Sequence, residues 1–274
     1  MNRLKEIDLL RALAIILMVA YHLAYDLKEY AGVNTNYEGP FWHRVGTLSA
    51  LLFIFLSGLC SGFSKNPLRR GFQIFGYGMG ITLVTYLFIR TTYVRFGILH
   101  FLGLAMILTP LLKLIPSRLL ALLSLLSALI GFQTEKIFVP VGYLLPLGLR
   151  SREFGSIDYY PIFPYLSVTI LGILFYKYFF LEGQKPLFNK LQSLRFTGPY
   201  FRIVEGLSKN SLAVYLIHQP IVLAGIFLFQ YYRLSSKTLF QLNTAPILLA
   251  VWLLVLLLTF GIMGYRLVGK RLRD

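Results

Sequence analysis

The sequence predicts an all-α fold, a polytopic integral-membrane bundle of about eight transmembrane helices, and three observations carry that expectation. Of the 274 residues, 57% are hydrophobic and only 14% are charged. The apolar residues gather into runs close to the roughly 20 residues that a helix needs to cross a bilayer. The Lys and Arg residues fall mainly between those runs, where they orient a chain in the membrane.

The first run, 9 to 28, is too long for a cleavable leader and holds ionisable residues. The segment "KEYAGVNTNYEG" that follows it has no small-x-small cleavage site, so the run is expected to remain as the first helix. Further runs at 45 to 63, 71 to 89, 97 to 115, 118 to 133, 160 to 180, 208 to 231 and 244 to 265 make eight spans. The segment "IFVPVGYLLPLGL", 137 to 149, is short and holds Pro140, Pro146, Gly142 and Gly148. That composition suits a broken re-entrant or interfacial segment better than a span.

Charge distribution decides between eight and nine crossings. With eight spans and a cytoplasmic N-terminus, 18 of the 27 basic residues lie inside, against 12 if 137 to 149 also crosses. The positive-inside rule therefore favours eight spans, both termini cytoplasmic, with the broken segment dipping in from the outer face. The loop "LEGQKPLFNKLQSLRFTGPYFRIVEGLSKN" mixes basic with apolar and aromatic residues. It suits a short amphipathic helix on the anionic leaflet, or an ordinary solvated basic loop. No repeat or linker divides residues 1 to 274, so one membrane domain is expected.

Composition also excludes function classes. A net charge of +16 would point to nucleic acid in a soluble protein, but basic residues between apolar runs serve topology, and no nucleic-acid partner is expected. Cys60 is the one cysteine, which excludes an intramolecular disulfide and a thiolate metal cluster. No zinc-type spacing, P-loop, dinucleotide fingerprint or nucleophile elbow appears, so no metal is expected.

The chemistry concentrates on the first helix, "IDLLRALAIILMVAYHLAYDL", which carries Asp8, Arg11, His22 and Asp26. The 11-residue step from Arg11 to His22 returns to within about 20° of the same direction and separates them by roughly 16 Å along the axis. Asp8 lies three residues before Arg11, and Asp26 four after His22, so each cation has an acid on the same face. A stripe of this kind cannot face lipid and is expected to face the bundle interior or a watered path. Arg11, near the cytoplasmic boundary, offers a planar donor fork suited to phosphate. His22, in the outer half, is suited to general-base work with Asp26 orienting it. Bland alternatives stay open: Arg11 as a snorkelling topology residue, and His22 as a polar interhelical contact.

These residues resemble a known family. "IDLLRALAIILMVAYH" is similar to the first helix of the transmembrane acyltransferase superfamily, where an Arg and a His are separated by ten intervening residues. "LLFIFLSGLCSGFS", "RFGILHFLGLAMIL", "VGYLLPLG", "DYYPIFPYLSVTILGILFYK" and "NSLAVYLIHQPIV" follow in an order that resembles the heparan-α-glucosaminide N-acetyltransferase catalytic-domain family, in particular its compact bacterial members. The resemblance implies an acyltransferase that moves an acyl group, usually acetyl, from cytoplasmic acyl-CoA to a sugar amine or hydroxyl across the membrane. Acetyl-CoA is the implied donor, a glycan or glycolipid the implied acceptor, and the bacterial inner membrane the implied location. Ala12 stands where the family usually has Gly, and the extra lumenal domain of the animal enzyme has no counterpart in the sequence.

The resemblance also brings in His43, in "FWHRVG", since the narrower family's key histidine follows helix one. His22 and His43 thus compete for the catalytic role, and the charged stripe favours His22. His100 and Arg95, near the outer end of the fourth span, could position an acceptor or complete a proton path. Alternatively they are a satisfied buried histidine and an interfacial arginine. Asp158, in "SIDYYPIFPY", could bind sugar hydroxyls or an amine. His218 precedes Pro220, which reads as a structural kink. Direct attack on the thioester and an acyl-histidine intermediate both remain open, as does assembly into a homo-oligomer. A proton-coupled transporter using the same charged residues is the rival from another class.

Overall fold

The computed structural model describes residues 4–140, 142–181 and 199–234. The span expected at 244 to 265 and the basic residues Lys185, Lys190 and Arg195 lie outside the described residues. Among those described, the named elements are all helical, and together they form a helical membrane bundle. Six helices of the described residues are long and apolar enough to cross a bilayer, and a seventh apolar helix there is shorter.

Helix α1, Lys5–Ala31, opens with Glu6 and Asp8 and closes with Lys28, charges of the sign that each end of a helix dipole favours. It stops at Gly32, whose left-handed φ of 66° lets Val33 N–H reach back to Leu27 O at 3.0 Å. Helices α2, Pro40–Ser61, and α3, Pro67–Phe88, each begin on a proline, whose missing N–H costs nothing at that position. Helix α4, Ile98–Leu114, has 17 residues and turns through Ile115 and Pro116 into α5, Ser117–Thr134. Helix α6, Ile162–Tyr176, runs on into a π-turn at Lys177–Leu181. Helix α7, Pro199–Lys209, falls in the loop expected to be amphipathic, and α8, Ser211–Leu234, contains Pro220.

The segment 137 to 149 is not a continuous helix. Phe138 pairs with Arg150 across its base, Val139 N–H donates to Arg150 O at 3.0 Å, and Gly142–Leu147 forms a short 3₁₀ turn between them. Its two prolines and two glycines account for this broken path.

Packing places α3 on α4, α5 on α6, and α2 on α6, while α1 is flanked by α2, α7 and α8. Ile54, Phe101, Leu120 and Ile170 bring α2, α4, α5 and α6 into one core cluster. Between α2 and α6 the backbones touch: a Cβ at Gly58 would lie 2.1 Å from Thr169 O, and one at Gly172 would lie 2.2 Å from Phe55 O. Close approach through small residues is how helices associate where lipid offers no hydrophobic drive. On α1, Leu13, Ile16 and Leu23 are exposed, whereas Asp8, Ile15, Met18 and Asp26 are buried. The polar stripe of α1 therefore faces the other helices, and its leucines face outward.

Candidate active site

Two polar clusters sit along α1, one at each end. At the N-terminal end the Arg11 guanidinium donates from Nη1 to Ser208 Oγ of α7 at 3.2 Å, and from Nη2 to Cys60 Sγ of α2 at 3.0 Å. Ser208 Oγ in turn donates to Asp8 Oδ1 at 2.6 Å. A single hydroxyl thus accepts from the arginine and donates to the acid, tying Arg11 to Asp8 by a bridge rather than leaving the guanidinium against lipid. Other cations gather at this end: Lys5 Nζ lies 5.4 Å from the Phe201 ring centroid, and Lys113 Nζ donates to Ser61 O at 3.4 Å. The cations of the cluster come from α1 and α4, with Ser208 of α7 and Cys60 of α2 beside Arg11.

Near the other end of α1, His22 and Asp26 meet α8. The His22 ring lies 5.0 Å from the His218 ring, centroid to centroid, with Tyr21 flanking it at 5.7 Å. Asp26, fully buried, accepts from Gln219 Nε2 at both carboxylate oxygens, at 2.8 and 2.9 Å. The acid expected to orient His22 is thus held by Gln219, and the ring beside His22 is a second imidazole. His218 Nδ1 lies 2.6 Å from Tyr215 O, a carbonyl that can only accept, so Nδ1 carries a proton. Its Nε2 is buried with no hydrogen-bond partner among the described residues, as is Gln219 Oε1.

The remaining candidates fall elsewhere. His43 is exposed in the first turn of α2. Antiparallel packing brings it level with His22, since Gly46 lies beside Tyr21 and Ser49 Oγ donates to Ala14 O at 2.9 Å. His100 is buried: its Nδ1 accepts from Gly97 N–H at 3.1 Å, and its Nε2 lies 3.2 Å from Thr82 Oγ1. Thr82 Oγ1 donates onward to Val94 O at 2.7 Å, so the neutral ring donates from Nε2 and both its nitrogens are occupied. Asp158 Oδ2 accepts from Ile98 N–H at 3.0 Å. His100 and Asp158 therefore cap the same helix, satisfying two of the orphan N–H groups at the start of α4. Burial pushes the Asp158 carboxyl up to about 6, against the lowering pull of the Ile98 N–H. Arg95 stacks between Tyr93, at 5.0 Å, and Phe154, at 5.2 Å, and its Nε is buried without a partner among the described residues. The Arg95 and Asp158 loops are stitched together by the Phe96–Tyr159 bridge. Among the described residues, no group of three or more His, Cys, Asp or Glu side chains could hold a metal ion.

Ser208 and Gln219 enter the two clusters without having been singled out, Cys60 enters as a partner of Arg11, and His218 enters as more than a kink. The stretch "LIHQP" held the available signal: two adjacent polar side chains inside an apolar helix have to find partners there. Which helix supplies those partners follows only from the packing of α8 on α1.

The arrangement joins a cationic cluster to an imidazole pair by one continuous helix. Comparison with known families matches residues 3–220 to the family described as heparan-alpha-glucosaminide N-acetyltransferase, catalytic. The match takes in all of α1 and reaches His218 and Gln219. Neither the curated proteins nor the solved structures yield a match.

Proposed function

Because the chain belongs to the heparan-α-glucosaminide N-acetyltransferase catalytic family, a family of membrane acetyltransferases, we propose that it moves an acetyl group from cytoplasmic acetyl-CoA to a sugar. The acceptor is an amine or hydroxyl of a glycan or glycolipid on the far side of the bacterial inner membrane. The observation that supports this reading most is the polar line along α1, with Arg11 bridged to Asp8 through Ser208 at one end and His22 against His218 at the other.

Arg11 binds phosphate oxygens of the CoA moiety, because a guanidinium is a donor fork that matches them. Lys5 and Lys113 add positive charge at the same end. The pantetheine arm runs outward along α1 over a rise of roughly 16 Å, the spacing of Arg11 and His22. At the far end the nucleophile attacks the thioester carbonyl carbon, a C–N or C–O bond forms, and the C–S bond breaks. The imidazole pair takes the proton released and delivers it to the departing sulfur, which is general acid–base catalysis of the ordinary kind. His22 belongs to this pair by position, whereas the exposed His43 ring lies outside it. Asp26 holds Gln219 in place, and Arg95 remains the acceptor-binding candidate at the rim. His100 and Asp158 serve α4 as caps.

The test is transfer of labelled acetyl from acetyl-CoA by the purified full-length protein to a panel of amino sugars and glycolipids, with His22→Ala and His43→Ala alongside. Wild type is expected to label at least one acceptor, His22→Ala to lose about 100-fold or more of the rate, and His43→Ala to stay near wild type. Absence of acetyl-CoA binding and transfer in the wild type would sink the reading. Loss confined to His43→Ala would move the chemistry to the start of α2.

A further inference from the structure

We propose that His218, rather than His22, is the base that receives the acceptor's proton, and that Gln219 Oε1 forms the second hydrogen-bond acceptor of the same subsite. This rests on the acetyltransferase reading above and narrows its site.

A competent base needs a lone pair aimed at the substrate and a partner that fixes the opposite side of the ring. His218 meets both requirements. Its Nδ1–H is committed to Tyr215 O at 2.6 Å, which leaves the lone pair of the neutral ring on Nε2. That Nε2 is buried and has no hydrogen-bond partner among the described residues, in a residue only 9% exposed. A buried polar atom left unpaired costs on the order of 1–3 kcal/mol, so its retention calls for an explanation such as a bound donor.

The neighbouring residue repeats the pattern. Gln219 spends its amide NH₂ on both oxygens of Asp26, while its Oε1 is buried and unpartnered among the described residues. Two adjacent residues of α8 thus carry orphan acceptors, one on the ring beside His22 and the other on the amide bound to Asp26, one turn further along α1. An incoming amine or hydroxyl supplies the missing hydrogens. In the reaction its N–H or O–H proton passes to His218 Nε2 as the new bond to the carbonyl carbon forms. The imidazolium then gives that proton to the CoA sulfur as the C–S bond breaks, so no outside reagent is needed. His22, 5.0 Å away ring to ring, is the positioning partner of that imidazole.

His218→Asn separates this assignment from a structural role. The Asn amide can still donate to Tyr215 O but has no group at the position of Nε2. With labelled acetyl-CoA as donor and glucosamine as probe acceptor, the full-length variant is expected to keep its thermal transition and its affinity for acetyl-CoA. Its kcat is expected to fall by at least about 100-fold. A second variant, His218→Ala, is expected to regain transfer on addition of millimolar imidazole, an effect that repair of packing alone does not produce. A His218→Asn rate within threefold of wild type, or a His218→Ala defect that imidazole leaves unchanged, would overturn the assignment. Wild-type protein that neither binds acetyl-CoA nor labels any acceptor would instead overturn the acetyltransferase reading, and this subsite with it.

Discussion

A guanidinium at Arg11 differs from an ammonium there in geometry more than in charge. Its two nitrogens reach Ser208 and Cys60 at once, and a planar fork can add phosphate where a point charge on a flexible stem cannot do so in the same register. Arg11→Lys is therefore expected to raise KM for acetyl-CoA about tenfold, worth ~1.4 kcal/mol, with kcat little changed. An unchanged KM would remove Arg11 from the donor site. Asp158 carries a different expectation. Its folded carboxyl is raised to about 6, above the ~3.9 of a free aspartate, so the folded state holds the proton more tightly than the unfolded one. The stability it contributes is complete below about pH 4 and is lost as pH rises through 6. Asp158→Asn keeps an acceptor for Ile98 N–H without the charge. The variant should therefore melt above wild type at pH 7.5, by on the order of 1 kcal/mol, and match it near pH 4. A difference that grows toward low pH would contradict this. The spacing of Arg11 and His22 was legible because both lie on one helix with a known period. Their partners were not, since Ser208 and Gln219 lie 197 and 193 positions along the chain from the α1 residues they bind.

The elements were legible where local chemistry punctuates the chain. Prolines open α2 and α3, Gly32 closes α1, and the broken composition of 137 to 149 resolves into a 3₁₀ turn rather than a helix. Close packing between elements was harder to see. Gly58 and Gly62 stand four apart in "SGLCSG", a spacing that permits backbone approach without naming the opposite helix. The structure puts α6 there, with Thr169 O against Gly58 and the Tyr176 ring against Gly62. Gly58→Ala drives a methyl to 2.1 Å from that carbonyl, so α2 and α6 must part. A loss of about 2–3 kcal/mol, at the upper end for overpacking, is expected. Gly76→Ala, on α3 with nothing among the described residues within 4 Å of the added carbon, is expected to be neutral or mildly stabilising. Equal thermal transitions for the two variants in detergent would contradict the close seam between α2 and α6. His100 and Asp158 belong at this scale too, because their polarity suggested substrate contacts while both make hydrogen bonds at the start of α4.

Across the whole molecule, the directional placement of Lys and Arg is the argument for orientation. Reporter fusions should report Lys65, between α2 and α3, as cytoplasmic and Glu153, between α5 and α6, as outside, and the reverse assignment would turn the proposed direction of transfer around. The bundle was legible from apolar run lengths alone, but the proposed route across it was not, because it depends on α7 and α8 returning from late in the chain to flank α1. The central claim is that one helix carries both ends of a transmembrane transfer, with an anion site at Arg11 and proton chemistry beside His22. Inside-out membrane vesicles test it most directly, with labelled acetyl-CoA outside and glucosamine sealed within. The account predicts acetylated sugar accumulating in the lumen, abolished by Arg11→Ala and by His22→Ala. Label that never reaches the lumenal sugar, or unmodified glucosamine crossing the membrane in response to a pH gradient, would contradict it.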